Sequence, residues 1–263
     1  MHPTGKGMFV RNWTATGEPE KAVARAKDAG IAWVSPLYGG WGGGKKAPRN
    51  VTNAKRYGDA FKAAGIQVWP WIYPVPSRLP EVSEAIKRAV ELGDSGIILD
   101  PEAEYRKRPN DALKLMSVAR SSAGNLPVGV SSYGYTNYHP TFPYAEFSSA
   151  DFGVPQVYDL KDNQKPSYQK KGVQSWRDAG FDTVIPALTT ASSSLGELMT
   201  EIAQTPLDDD SVVFWDWQTT QSGEWAAIRS LDLRPTPFGG IAIAGGAALA
   251  VGALVAFWIW KEK

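Results

Sequence analysis

Short apolar runs alternate with helix-like stretches along most of the chain, and this alternation limits the accessible folds more than any other feature. Three of the helix-like stretches end in the same way, with a glycine followed by an apolar residue, at Gly30, Gly65 and Gly180. Glycine often ends a helix, and an apolar residue directly after it often begins a buried strand. The repeated unit is therefore a helix that leads into a strand.

Eight such units within about 230 residues match a (β/α)8 TIM-type barrel. An open doubly wound sheet is the alternative, but it usually has fewer strands and a phosphate-binding turn after the first one. The predicted strands are residues 8–10, 32–37, 67–73, 96–99, 127–132, 152–158, 183–188 and 212–217. The predicted helices are residues 18–29, 52–64, 80–92, 110–123, 144–149, 167–179, 195–204 and 224–230.

The barrel is predicted to be a single domain at residues 1–231, followed by a linker at 232–238 and an uncharged run at 239–260. A helix of about 22 residues spans roughly 33 Å, the thickness of a bilayer's hydrocarbon core. Two tryptophans, Trp258 and Trp260, precede the charged tail 261–263, as in an aromatic belt. These features predict a single-pass C-terminal membrane anchor; a buried terminal helix is the alternative.

The anchor places the protein in a cell envelope or a phage virion, with the lipid bilayer as one partner. Small residues recur at four-residue spacing in the run, for example Gly246 with Ala250, and this spacing permits an oligomer through close helix packing. No cleavable signal peptide is expected, because residues 1–6 contain no apolar stretch.

Composition excludes several functional classes. The net charge of +1 gives no broad basic surface, so nucleic acid is not an expected partner. The chain has no cysteine, and its only histidines are His2 and His139, so no metal site, His-based triad or cofactor is expected. Residues 39–45 resemble part of a phosphate loop, but Lys46 replaces the required Ser or Thr, and we interpret the stretch as a loop at the barrel mouth.

Carboxylates directly follow the fourth predicted strand, at Asp100, Glu102 and Glu104. Residues two apart on a strand share a face, so Asp100 and Glu102 project together from its end. Two nearby carboxyl groups that lose water acquire different pKa values, so that one donates a proton while the other is ionised. Glycoside hydrolysis requires this division of roles. For Glu104, solvent exposure beside Arg106 and Lys107 is expected.

Polar and aromatic residues also follow the other predicted strands, and in a barrel the carboxyl ends of the strands form the active site. The further catalytic candidates are Tyr158, Asp159 and Asp216. The substrate-binding candidates are Asn12, Tyr38, Trp71, Tyr133, Gln156, Trp215, Trp217 and Gln218. Aromatic faces of this kind stack on sugar rings as well as filling cores, so a polysaccharide is the expected substrate.

These motifs resemble two families of barrel glycoside hydrolases. Asp100-Pro101-Glu102 and the Trp217-Gln218 pair are similar to motifs of the family 25 muramidases, the lysozyme-type enzymes. The family 18 chitinases share the Asp-x-Glu motif, and Tyr158-Asp159 and an eighth-strand tryptophan, Trp215 or Trp217, resemble their other motifs. The first-strand aspartate of the muramidases has no counterpart, because Arg11, Asn12 and Trp13 occupy that region. Ser95 and Ile98 stand where the longer chitinase signature has acids.

The resemblance implies that Glu102 is the general acid and that Asp100 stays charged and orients the acetamido group of the sugar. Tyr158 would donate a hydrogen bond to that group, while Asp159 or Asp216 could position water. The leading hypothesis is a membrane-anchored glycosidase that cleaves an N-acetylhexosamine polymer such as peptidoglycan. The alternative is a noncatalytic barrel that binds glycan or is structural in a virion or envelope, a hypothesis supported by the missing first-strand acid.

Overall fold

The computed structural model describes residues 1–40, 47–48, 51–158, 168–190, 195–205, 210–235 and 241–243. The strands in these ranges are β1 (Gly5–Val10), β2 (Ile31–Gly40), β3 (Ala47–Pro48), β4 (Gln67–Val68), β5 (Trp71–Tyr73), β6 (Ile97–Leu99), β7 (Val128–Tyr133), β8 (Phe152–Gln156), β9 (Ala187–Thr189), β10 (Ser211–Trp215), β11 (Leu231–Pro235) and β12 (Ile241–Ile243). The α-helices are α1 (Pro19–Asp28), α2 (Val51–Ala63), α3 (Leu79–Leu92), α4 (Pro109–Ala123), α5 (Tyr144–Phe147), α6 (Tyr168–Asp178), α7 (Leu195–Gln204) and α8 (Ser222–Ser230).

Parallel strands close into a barrel, which confirms the predicted (β/α)8 barrel. Around the barrel the order is β1, β10, β9, β8, β7, β6, β5 and β2, and β2 pairs with β1 to close the ring. The third predicted strand is divided into β4 and β5, both parallel to β2, because Pro70 between them has no N–H for the ladder. Gly30, Gly65 and Gly180 end helices in the left-handed region, with φ of 67°, 79° and 104°.

Large aromatic side chains fill the barrel interior beside glycines. A Cβ on Gly7 would lie 2.1 Å from the Trp33 ring, and a Cβ on Gly96 would lie equally close to Trp69. Only glycine therefore leaves room for these indoles. The interior cluster is Phe9, Trp33, Trp69, Trp71, Ile98, Phe152, Val154, Ile185, Ala187 and Val213. The opposite faces of the strands pack against the helices in two further apolar clusters.

A buried lysine joins the first strand to the last helix. Lys6 Nζ donates to the carbonyl oxygens of Ile228 at 2.8 Å and Leu231 at 3.1 Å. These carbonyls lie at the carboxyl end of α8, where the helix dipole favours a cation. Burial nevertheless lowers the pKa of Lys6 to about 8, with partial opposition from the charge of Asp232. The contact fastens α8 across the end of the barrel opposite the mouth.

The chain differs from the sequence prediction after the barrel. Residues 231–235, predicted as the barrel end and a linker, form β11, which pairs antiparallel with β12 where the membrane helix was expected to begin. Isoleucine favours extended backbone, and the edge groups of β11 find partners in β12. The prediction of a helix that begins at residue 239 is therefore wrong for residues 241–243, which form a strand. Residues 244–263 lie outside the described residues, so the anchor stays a prediction.

Among the helices in the described ranges, none combines the length and apolar character that a bilayer span requires.

Candidate active site

Asp100 lies at the centre of the barrel mouth, directly after β6. Its backbone N–H donates to the Ile72 carbonyl at 2.8 Å, which continues the ladder between β5 and β6 for one residue. Its side chain is 5% exposed and accepts a hydrogen bond of 2.7 Å from Gln156 Nε2 to Oδ1. The same nitrogen donates to Ser131 Oγ at 3.0 Å. Three neighbouring strands thus hold this carboxyl group in one orientation.

Burial raises the pKa of Asp100 well above its ordinary value, and the nearby charge of Glu102 raises it further. The hydrogen bond from Gln156 opposes the shift only in part. The expectation that Asp100 stays charged is therefore not supported, because desolvation favours the neutral carboxyl group.

Glu102 and Glu104 share a single phenolic donor at the rim of the mouth. Tyr73 Oη donates towards Glu102 Oε2 at 3.3 Å and Glu104 Oε2 at 3.0 Å. Glu104 is thus half-buried against Tyr73 rather than simply solvated beside Arg106. Tyr73 lies at the end of the third predicted strand, where the sequence predicts residues of the mouth, although it is not among the predicted substrate-binding candidates.

The environment of Glu102 suits a general acid. Burial raises the pKa of this half-buried carboxyl group, and the charge of Glu104 adds to the rise. The hydrogen bond from Tyr73 and the charge of Arg106 lower the pKa and so limit the shift. A carboxyl group with a raised pKa keeps its proton closer to neutral pH, which is what proton donation to a leaving group requires.

Aromatic rings form the wall of the mouth opposite the carboxylates. Tyr158 stacks on Trp215 with ring centroids 6.1 Å apart, and Trp215 contacts Trp71 edge-on at 5.5 Å. The Tyr158 hydroxyl and Trp71 Nε1 are both buried and have no hydrogen-bond partner in the part of the chain that the structure describes. Buried donors without partners are costly. A ligand that reaches these two donors would supply the acceptors that they lack.

Asp216 is close to the mouth, but both of its carboxylate oxygens are bound by other side chains of the protein. It forms an ion pair with Arg11 Nε, and Arg11 Nη2 lies 3.3 Å from its Oδ1. The Thr219 hydroxyl donates to the same Oδ1 at 2.6 Å. Asp216 is completely buried, and its charge contributes to a raised pKa of Tyr158. These contacts describe a structural ion pair, so the predicted role of Asp216 in positioning water is not supported.

Two predicted sugar-binding residues do not reach the mouth. Tyr38 is buried in the layer between strands and helices, because alternation along β2 places Leu37 inside the barrel and Tyr38 outside it. Trp217 packs against Trp225 at 4.9 Å, on the side of the barrel that α8 covers. Both side chains belong to the helix-facing core, which corrects their predicted role.

The remaining predicted residues form part of the rim or lie outside the described residues. Gln218 accepts from the Arg11 backbone N–H at 2.8 Å and donates to the Asn12 carbonyl at 3.0 Å. The half-buried Gln218 thus connects its loop to the loop of the exposed Asn12. Tyr133 is half-buried, and His139 stacks on one of its faces at 3.7 Å. Asp159 lies outside the described residues. No group of three or more metal-ligating side chains occurs within the described ranges.

Several solved structures are similar to this chain in fold. A chitinase from Chromobacterium violaceum has a TM-score of 0.58 at 12% identity over 86% of this chain and 98% of its own. A spore cortex-lytic enzyme from Bacillus cereus has a TM-score of 0.60 at 9% identity over 86% and 73%. A xylanase and α-amylase inhibitor protein from Scadoxus multiflorus has a TM-score of 0.54 at 11% identity over 87% and 98%.

The expected resemblance to family 18 chitinase barrels is thereby confirmed at the level of the fold. No protein-family model matches the sequence. A search of curated protein sequences also finds no match. Identities this low leave the activity to be argued from the site itself.

Proposed function

We propose that this protein is a glycoside hydrolase that cleaves polymers containing N-acetylhexosamine, with peptidoglycan as its polymer. The observation that carries the proposal is the carboxyl pair Asp100 and Glu102 at the barrel mouth, where burial raises both pKa values. The unpartnered donors of Tyr158 and Trp71 supply hydrogen bonds for the sugar beside that pair. The chitinase-like fold supports the same class of activity.

In the mechanism we favour, Glu102 gives its proton to the glycosidic oxygen while the bond from that oxygen to the anomeric carbon breaks. The acetamido oxygen of the same sugar forms the new bond to the anomeric carbon, with Tyr158 donating to the acetamido group. Positive charge on that group then favours transfer of the Asp100 proton to a solvent water, because an adjacent cation lowers a carboxyl pKa, and Asp100 takes a proton back from solvent once the positive charge is gone. Water, deprotonated by Glu102, finally attacks the anomeric carbon and releases the acetamido group.

A noncatalytic glycan-binding barrel is the second candidate. Arg11 favours this candidate. It follows the first strand, where the muramidases have an acid, and it forms an ion pair with Asp216. Two of the similar solved structures are xylanase and α-amylase inhibitor proteins. Turbidity loss and product analysis on purified cell walls and chitin oligomers separate the two candidates. Reducing ends released by the full chain support hydrolysis, and sugar binding without release supports the second candidate.

Replacing Glu104 by Gln is expected to move the alkaline limb of the pH–activity profile to lower pH. The charge of Glu104 raises the pKa of Glu102, so its removal lets the acid lose its proton earlier as pH rises. Activity at acidic pH should change little. The measurement is initial rate against pH, with Glu20→Gln, an exposed residue on α1, as the matched control. An unchanged limb would show that Glu104 does not tune Glu102.

We also propose that the uncharged C-terminal run anchors the protein in the bilayer of a cell envelope or virion. Residues 244–260 alone provide an uncharged stretch of 17 residues, at the lower end of the length that a membrane helix needs. The full chain is expected to partition into detergent, and a chain that ends at residue 243 is expected to stay in the aqueous phase. Leu249→Arg with Leu254→Arg keeps the length and should also abolish partitioning. Aqueous full-length protein would contradict the anchor.

A further inference from the structure

Arg106 is held at the rim of the mouth by aromatic rings instead of carboxylates. The centre of its guanidinium group lies 4.8 Å from the ring centroid of Tyr133, and its Nη2 lies 2.8 Å from His139 Nδ1. Burial and the charge of Arg106 both lower the pKa of His139, so the neutral imidazole accepts a hydrogen bond from Arg106. A cation–π contact and a neutral acceptor fix the group without cancelling its charge.

The loop that carries Arg106 is fastened to the loop that carries His139. The backbone N–H of Lys107 donates to the Thr141 carbonyl at 2.7 Å, and Lys107 has a left-handed φ of 58°. Left-handed backbone at a residue other than glycine is uncommon and is often retained near functional sites. The position of Arg106 is thus determined by contacts on both sides of its chain segment.

Arg106 differs from most rim and surface arginines in having no carboxylate partner. Arg11 is paired with Asp216 and Arg120 with Asp151, whereas Arg106 makes no ion pair within 4.0 Å in the portion of the chain that the structure describes. Its charge still lowers the pKa of Glu102, so it is electrostatically close to the proposed acid. A guanidinium group has five N–H donors, and the contacts with His139 and the Tyr133 hydroxyl do not use all of them.

We propose that Arg106 binds a carboxylate carried by the sugar polymer next to the bond that is cleaved. This inference rests on the proposed function and narrows its substrate class to N-acetylhexosamine polymers with acidic substituents. The charge of Glu104 on the same rim repels an anionic substrate unless a cation offsets it, and the planar guanidinium fork of Arg106 matches a carboxylate in two parallel hydrogen bonds. Every second sugar of a peptidoglycan glycan strand carries a lactyl group, whose carboxylate is free once the stem peptide has been removed, and chitin carries no such group.

The competing role for Arg106 is to offset the charges of Glu102 and Glu104 without touching substrate. That role affects every substrate equally, because all substrates use the same acid. The ratio of kcat/KM for a carboxylate-bearing polymer to kcat/KM for a neutral one cancels effects on the acid. This ratio therefore distinguishes carboxylate binding from simple charge compensation.

The experiment compares the full-length wild type with Arg106→Gln on two forms of the same glycan strands, one with free carboxylates and one with these groups converted to neutral amides. We expect Arg106→Gln to lower the ratio by at least about tenfold, mainly through KM for the carboxylate form. Arg108→Gln is the matched control, because Arg108 is an exposed arginine two residues away that faces Asp111 at 3.6 Å. The control should leave the ratio unchanged.

A second variant covers the case in which Arg106→Gln disturbs the fold. His139→Phe keeps a ring for stacking on Tyr133 but removes the acceptor for Arg106, so it should lower the same ratio by a smaller factor. Equal losses on both forms of the polymer, or no loss on either, would overturn the inference.

Equilibrium binding in the Glu102→Gln background separates this inference from the proposed function. Without turnover, adding Arg106→Gln should weaken binding of the carboxylate form and leave binding of the amide form unchanged. If the wild type cleaves neither polymer, but Arg106→Gln weakens binding of the carboxylate form alone, the carboxylate site stands and the hydrolase proposal falls. If the wild type cleaves both forms and Arg106→Gln changes neither binding nor rate, the hydrolase proposal stands and the carboxylate site falls.

Discussion

Replacing Glu102 by Gln is expected to lower the hydrolysis rate by about a hundredfold or more, with the fold unchanged. The amide keeps the shape of the side chain and can still accept from Tyr73, but it has no proton of suitable acidity for the leaving group. The measurement is release of reducing ends from purified peptidoglycan and chitin oligomers, with thermal unfolding as the check on structure. Glu20→Gln on α1 is the control and should retain full activity.

Asp100→Asn should also lower the rate, because the neutral amide cannot lose a proton as positive charge develops on the sugar. Asn retains an Oδ1 that accepts from Gln156, so the packing at the mouth should persist. A wild-type rate in Glu102→Gln would assign the chemistry to other residues. Loss in Glu102→Gln with full activity in Asp100→Asn would leave Glu102 as the acid and remove Asp100 from the mechanism.

Much of the barrel could be predicted from the sequence because its signals are local. Gly30, Gly65 and Gly180 end helices by a backbone geometry that glycine adopts readily, and each predicted strand overlaps one in the structure. Asp100 and Glu102 could be placed at the mouth for a similar reason. Once a buried strand of a parallel barrel is known to end at residue 99, the next side chains must lie at the carboxyl end.

The roles of individual side chains depend on partners that are distant in sequence, and these could not be predicted. Arg11 forms an ion pair with Asp216, which lies 205 residues later in the sequence. Because of this ion pair, the side chain predicted to position water has a structural role instead. Alternation along a strand is visible in a sequence, but it does not show which face points into the barrel. The prediction that Tyr38 lies in the mouth is wrong for this reason, because its side chain packs against the helices. The raised pKa of Asp100 likewise follows from burial by neighbouring strands.

Another buried carboxyl group lies on the inner face of α7. Glu201 is 4% exposed, and neither of its carboxylate oxygens makes a full hydrogen bond to a residue within the described ranges. Burial raises the pKa of Glu201 to about 8, with partial opposition from the backbone of Thr189 and a small further rise from Glu197. The native chain therefore holds a proton on Glu201 through neutral pH.

The sign of the resulting pH dependence follows from the two pKa values. The unfolded chain releases the Glu201 proton near pH 4.5, whereas the folded chain keeps it up to about pH 8. Between these values the folded state binds more protons, so the free energy of unfolding falls as pH rises. Each unit of pKa difference corresponds to about 1.4 kcal/mol, which makes the total loss by pH 8 several kcal/mol. Asp100, whose pKa is also raised, contributes with the same sign.

Glu201→Gln is therefore expected to make the protein more stable than the wild type at pH 8, by an increment that grows from pH 5 to pH 8. The amide has no proton to lose, so the variant escapes this part of the penalty for ionising a buried group. The measurement is denaturant unfolding at each pH, and stopping at pH 8 avoids the opposite contribution of Lys6, whose pKa is lowered to about 8. The exposed Glu20→Gln should follow the wild-type profile within about 0.5 kcal/mol. If the Glu201→Gln profile also runs parallel to the wild type, Glu201 is ionised in the folded protein and must have a charged partner.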